Sequence, residues 1–363
     1  MSNEVKIKLK GTVPTNDAYI FVSHSSSPYF TLLNHSSGSV SLATTYTLSG
    51  FGQGVDITED GDYIGSVYGN SPYFTLLNHS SGSVSLAATY TLAVTGRAIM
   101  FSNDNNYIAL GYSSSPYFTL LNHSSGSVSL ASTYIINTYA MGCVSWSSDD
   151  AYIGIGAFGN GFTLLNHSSG SVSLATTYTD PGTIRAIMFS NDDNYIALGH
   201  ASTPYFTLLN HSSGSVSLAS TYLIDDGAFD TRTVSFSNDD AYIIIGYINY
   251  SHSTKPKFTL LNHSSGSVSL ATTYTPRGSL GLSSEFSSDD NYIALGHSST
   301  PFFTLLNHSS GSVSLAATYT LAGNANGIVF GPSFTSTFQS KPMKIKKSGT
   351  FSDVTNIQGG GWT

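Results

Sequence analysis

The fourteen-residue segment FTLLNHSSGSVSLA occurs seven times without a change, beginning at Phe30, Phe74, Phe118, Phe162, Phe206, Phe258 and Phe303. Successive copies are 44, 44, 44, 44, 52 and 45 residues apart. A fixed period of this size marks a repeat architecture, in which each unit buries its apolar faces on its neighbours. Within the unit from Gly96 to Tyr134, four β-prone runs stand out: RAIMFS, NYIALG, PYFTLL and SVSLAST. The breaks between them carry Asn, Asp, Gly, Ser or Pro, and no helix-length amphipathic pattern occurs. In PYFTLL both alternation faces are apolar, so the sheet must be covered on both sides. Four-stranded sheets packed face to face in a ring supply that cover, and roughly 40–45 residues per blade is the propeller period. The expected fold is all-β: a seven-bladed β-propeller of four-stranded antiparallel blades.

Ring closure follows from counting. In most units the residue ending the first strand lies 14 positions after the last Ala of the repeat, as from Ala87 to Phe101. The same count from Ala316 reaches Phe330, in NGIVFG, and no second strand follows it. The N-terminal stretch DAYIFVSHSSSPYFTLLNHSSGSVSLATTYTL has the complementary deficit, holding strands two to four. A first strand around Ile328–Phe330 should therefore complete the N-terminal blade and remove the open edges. This divides the chain into a Lys-rich N-terminal strand over 1–12, a propeller over 13–333 and a C-terminal extension over 334–363.

The segment LLNHSSGSVSL resembles the third strand, turn and fourth strand of WD-repeat blades, and VSFSNDDAYIIIG (Val234 to Gly246) resembles their first hairpin. The resemblance covers Asp17 to about Gly331 and implies a propeller. It departs from the family signature, with Leu in place of Trp, Asn in place of Asp and no opening Gly-His pair, so no partner is carried over.

Composition narrows the function. A net charge of −8 gives no electrostatic reason to expect nucleic-acid binding. The single cysteine, Cys143, excludes an intrachain disulfide framework. No stretch approaches membrane-spanning length, and MSNEVKIKLK lacks the apolar core of a signal peptide.

Where the copies differ, recognition is expected. The 52-residue spacing lengthens two loops of one blade and should raise Tyr247, Tyr250, His252, Lys255 and Lys257 above the face of the disc. Aromatic and cationic side chains on a rigid scaffold suit a glycan or protein ligand. The opposite face is expected to carry a ring of turn histidines, from His35 to His308, beside Asp-rich turns such as Asp149–Asp150. Asp and Asn are ordinary turn residues, so these groups are read as structural, and no metal or cofactor is assigned. Each copy contains an Asn-His-Ser triplet, and Asn249-Tyr250-Ser251 makes an eighth; these too are read as turns. No nucleophile elbow, phosphate-cradling Gly loop or metal-hydrolase motif is present, and no catalysis is expected.

Of the 13 Lys and Arg, seven lie outside the blades, in VKIKLK and in the tail from Lys341 to Lys347. Both segments alternate apolar with cationic residues, so Val5–Lys10 is expected to pair with Met343–Lys347. The tail MKIKKSGTFSDVTNIQGGGWT resembles short C-terminal modules of tailed-phage virion proteins. That resemblance implies a non-enzymatic virion appendage, binding a host-surface glycan or protein and joined to other virion proteins through its termini. The alternatives are an extracellular lectin-like or scaffold propeller of a cell, or a self-assembling filament subunit.

Overall fold

The computed structural model describes residues 17–331, with breaks at 113, 137–139, 158–160, 180–181, 225–229, 249–255 and 277–279, together with 345–347 and 350–352. The chain divides into two compact units after Ser333. In the first unit, seven four-stranded antiparallel sheets are each wound from an innermost to an outermost strand. Blade 2 runs Gly52–Ile57, Tyr63–Tyr68, Tyr73–Ser80 and Ser83–Thr91. Blades 3 to 7 repeat this order from first strands at Gly96–Phe101, Ala140–Trp146, Ile184–Phe189, Asp230–Phe236 and Gly281–Phe286. The first strands touch one another in cyclic order, which makes a ring around an axis.

Blade 1 is assembled from both ends of the ring. Ala325–Gly331 pairs antiparallel with Tyr19–His24, placing Phe330 opposite Ile20 and Ile328 opposite Val22. This is the closure that the count from Ala316 predicts.

The repeated segment explains the packing. Phe30, Leu32 and Leu33 of one third strand are wholly inaccessible to solvent. Phe30 and Leu32 pack with Ile64 and Tyr68 of blade 2, while Leu33 packs with Phe303 and Leu305 of blade 7. Both faces of the strand are apolar because each meets a different neighbouring blade. Each such burial stabilises the ring by roughly 1.5–3 kcal/mol.

The turn Ser37-Gly38 has two successive left-handed residues, at φ 47 and 79, as a two-residue type I′ hairpin requires. Its glycine has a second reason. A Cβ on Gly38 would stand 3.0 Å from the Tyr292 ring of the preceding blade.

The turn histidines do not form an exposed ring. His35, His79, His123, His211, His263 and His308 are buried, at 4–9% exposure, and His167 is half-buried. His123 Nδ1 lies 2.6 Å from the Asn105 carbonyl oxygen, and its ring meets Tyr63 of the preceding blade and Phe101 of its own edge-on. The other six make the equivalent contact with a backbone carbonyl. The adjoining Asp and Asn residues tie blade to blade. The Asp150 carboxylate accepts from the Asn103 and Asp104 N–H groups at 2.7 and 2.9 Å, and Asp193 accepts from the Ser148 N–H at 2.7 Å. Asp240, Asp290 and Asp17 repeat the link at later blades, and Asn105 makes it to the Glu59 N–H.

In the second unit Ile345–Lys347 pairs with Thr350–Ser352. Val5–Lys10, the partner expected for this segment, lies outside the described residues.

Candidate functional site

The first strands leave the repeat pattern where they line the axis. In blade 3, Gly96 pairs with Tyr112 and Ala98 with Gly111, so Arg97 is the extra residue of a β-bulge. The same irregularity sets off Gln53, Arg185, Arg232, Leu282 and Asn326 in their strands. A bulge re-aims the side chain it carries, and bulges are frequent beside functional sites. Here those six residues line an axial cavity of about 230 Å³ to which all seven first strands contribute. That is somewhat below the roughly 300–1,000 Å³ usual for ligand sites, so the cavity suits a compact ligand.

The lining is polarised. Arginines stand in blades 3, 5 and 6, whereas blades 7, 1 and 2 carry the neutral Leu282, Asn326 and Gln53. Asp230, 7% exposed, holds two of the arginines. Its Oδ1 accepts from Arg185 Nε at 3.0 Å and its Oδ2 meets Arg232 Nη2 at 2.7 Å. Among the described residues Arg97 makes no ion pair. Across the ring, Asn326 Nδ2 donates to the Gly52 carbonyl at 2.7 Å.

Further along the same strands, one residue before the terminal Ile57 and Phe286, come Asp56 and Glu285. They belong to blades 2 and 7, which flank blade 1 and adjoin the arginine-bearing blades 3 and 6. Both residues are half-buried, and Glu285 lines the axial cavity. Burial pushes the Asp56 carboxyl up to about 7, against the opposing hydrogen bond that its Oδ2 accepts from the Phe101 N–H at 2.6 Å. Burial, with the nearby Asp56 and Asp17 charges, pushes Glu285 up to about 8. Carboxyls that titrate near neutrality inside a cleft can exchange protons with a bound ligand. Cys143 also lines the cavity, but burial pushes its thiol up to about 12, which keeps it protonated and weakly nucleophilic. Among the described residues no His, Cys, Asp and Glu group could hold a metal ion.

The sequence-predicted loop residues lie elsewhere. Tyr247, expected above the face, is 1% exposed within its strand, its hydroxyl 3.3 Å from the Thr259 hydroxyl. Lys257 is fully inaccessible to solvent, and burial holds its ammonium below the usual lysine range. The correction has a simple cause: both flank the lengthened loop and belong to the framework that carries it. Tyr250, His252 and Lys255 lie outside the described residues.

Sequence reasoning missed the axial arginines. They did leave a signal, because Arg97, Arg185 and Arg232 each stand four residues before the aromatic that ends a first strand. The bulge that turns them inward has no such signature.

No protein-family model matches the chain. No curated protein matches it in sequence. Solved structures do share its architecture. A candidate 6-phosphogluconolactonase from Bacteroides uniformis superposes with a TM-score of 0.77 at 12% identity, covering 87% of this chain and 100% of its own. A second, from Bacteroides fragilis, gives 0.75 at 12%, covering 87% and 99%. The periplasmic gluconolactonase of Pseudomonas aeruginosa gives 0.72 at 14%, covering 86% and 98%. At these identities the likeness is one of fold. The expectation of a non-enzymatic virion appendage, with its lectin-like, scaffold and filament alternatives, is corrected to this extent: these three propellers of the same architecture are named for lactone hydrolysis, and no virion protein is among them.

Proposed function

We propose that the axial cavity hydrolyses a small lactone bearing an anionic group, of the sugar-acid class named in the similar propellers. One observation carries this reading: three arginines and Glu285, a carboxyl of raised pKa, line one compact cavity. The arginines supply charge-assisted donors for a phosphate or carboxylate. Anchored there, the ligand turns its ester carbonyl towards blades 7, 1 and 2. Glu285 in its ionised form takes a proton from water as the water oxygen attacks the carbonyl carbon. The ring C–O bond then breaks, and the same carboxyl returns the proton to the departing alkoxide, leaving the open-chain acid. No covalent enzyme intermediate is required, which agrees with a thiol kept protonated.

With Glu285 at about 8, the ionised fraction grows as pH rises, so turnover should climb through neutrality and level off above pH 8. The test is hydrolysis of 6-phosphoglucono-δ-lactone and glucono-δ-lactone by the purified chain, read as acid release above the uncatalysed background. A rate equal to background for both lactones across pH 6 to 9 would overturn the reading.

A further inference from the structure

We propose that Asp230 is a positioning residue that sets this site's preference for anionic over neutral substrates. The inference rests on the lactone reading above and concerns what the arginine arc selects. Arg185 and Arg232 belong to adjacent blades, and two guanidinium groups directed at one cavity repel each other. Asp230 is placed to offset that repulsion. It opens the first strand of blade 6, is nearly inaccessible to solvent, and gives one oxygen to each arginine, at 3.0 and 2.7 Å. A carboxylate shared in this way fixes the separation of the two guanidinium planes. Held so, the pair presents its remaining N–H donors at a fixed spacing that suits the oxygens of a phosphate, with Arg97 two blades from Arg185. Asp230 itself stands behind the arginines and acts through them.

The experiment uses the full chain with Asp230→Asn, which keeps the shape and removes the charge, and Asp230→Glu, which keeps the charge. For Asp230→Asn, KM for 6-phosphoglucono-δ-lactone should rise about tenfold, the equivalent of one good hydrogen bond. Its kcat should stay within about twofold, and KM for neutral glucono-δ-lactone should not move. Asp230→Glu should recover part of the loss. A purely structural role predicts instead that both substrates lose KM and kcat together, and that result overturns the proposal. If the wild-type chain hydrolyses neither lactone, the lactonase reading fails, and calorimetric titration with 6-phosphogluconate then decides the clamp alone. Binding that weakens about tenfold in Asp230→Asn upholds it; equal binding by both chains, or none by either, overturns it.

Discussion

The rim of each blade is the same seven times, while the axis carries six different segments in its seven blades. Around the rim stands FTLLNHSSGSVSLA; at the axis the corresponding four-residue segments read QGVD, RAIM, GCVS, RAIM, RTVS, LSSE and NGIV. Rim residues meet one environment seven times over, so one packing solution serves every blade. The axial residues share a single cavity, where seven copies of any one side chain would crowd together and could not divide cations from carboxyls. Symmetry therefore suits the shell, and departure from it makes the site. Verbatim identity at the rim exceeds what packing demands, since cores accept conservative exchange.

The comparison breaks most completely if the ring is opened. Deleting the chain from Gly327 onward removes Ile328 and Phe330 from the core and exposes the edge of Tyr19–His24. Loss of the cooperative β-sheet melting transition and aggregation on size exclusion are expected, because an unpaired inner strand seeks another chain. A soluble monomer that melts like the intact protein would refute closure by this strand.

At the axis, Glu285→Gln should separate function from stability. Removing the acid–base group should lower turnover by about 100-fold or more. Stability should move the other way. The folded carboxyl holds its proton to about 8, against an ordinary value of 4.5 when unfolded, so the wild-type fold loses stability as pH rises from 4.5 to 8. Glutamine does not titrate, so the variant should melt above the wild type at pH 8.5 and close to it at pH 4.5. Equal melting at both pH values would show that Glu285 is not strained by its charge.

The rim should behave oppositely under Gly126→Ala. Gly126 has φ 79, and its new Cβ would stand 2.8 Å from the Tyr63 ring. A left-handed alanine costs about 1–2 kcal/mol before that contact is relieved. Melting should fall while KM and kcat stay within about twofold. Lost activity with unchanged melting would tie rim and axis together.

How far the sequence discloses each region follows the same division. The spacing from Ala316 locates Phe330 and with it the closure, because a repeat makes every strand predict its counterpart. Turn chemistry at Ser37-Gly38 is equally legible. The histidines are misread from sequence, since a polar residue beside a turn gives no hint that its ring will lie between Tyr63 and Phe101 of adjoining blades. At the axis, Arg97 and Glu285 come from blades far apart in sequence, and only the bulges and the ring bring their side chains to one cavity. Loop length drew attention to Tyr247 and Lys257, which the framework buries.

The smallest effect concerns the most repeated exposed residue. Leu42, Leu86, Leu130, Leu174, Leu218, Leu270 and Leu315 stand on outermost strands, each about half exposed; Leu130, at 52%, is typical. Replacing Leu130 by Thr removes some apolar contact with the neighbouring strand. It also introduces a β-branched residue that suits an edge strand and leaves less apolar surface in water. These contributions oppose each other, so stability should change by no more than about 0.5 kcal/mol, as for most surface substitutions. The position pairs with Leu121 beside the bulge of its sheet, and that pairing runs through the backbone, which the exchange leaves in place. Chemical denaturation of Leu130→Thr, and then of a chain with all seven leucines replaced, measures the sum. Near-additive small changes would mean that this leucine is repeated because the segment was copied whole. A loss well above about 0.5 kcal/mol per site would mean that the outermost strand contributes to the core after all, and the division between shell and site would have to move outward.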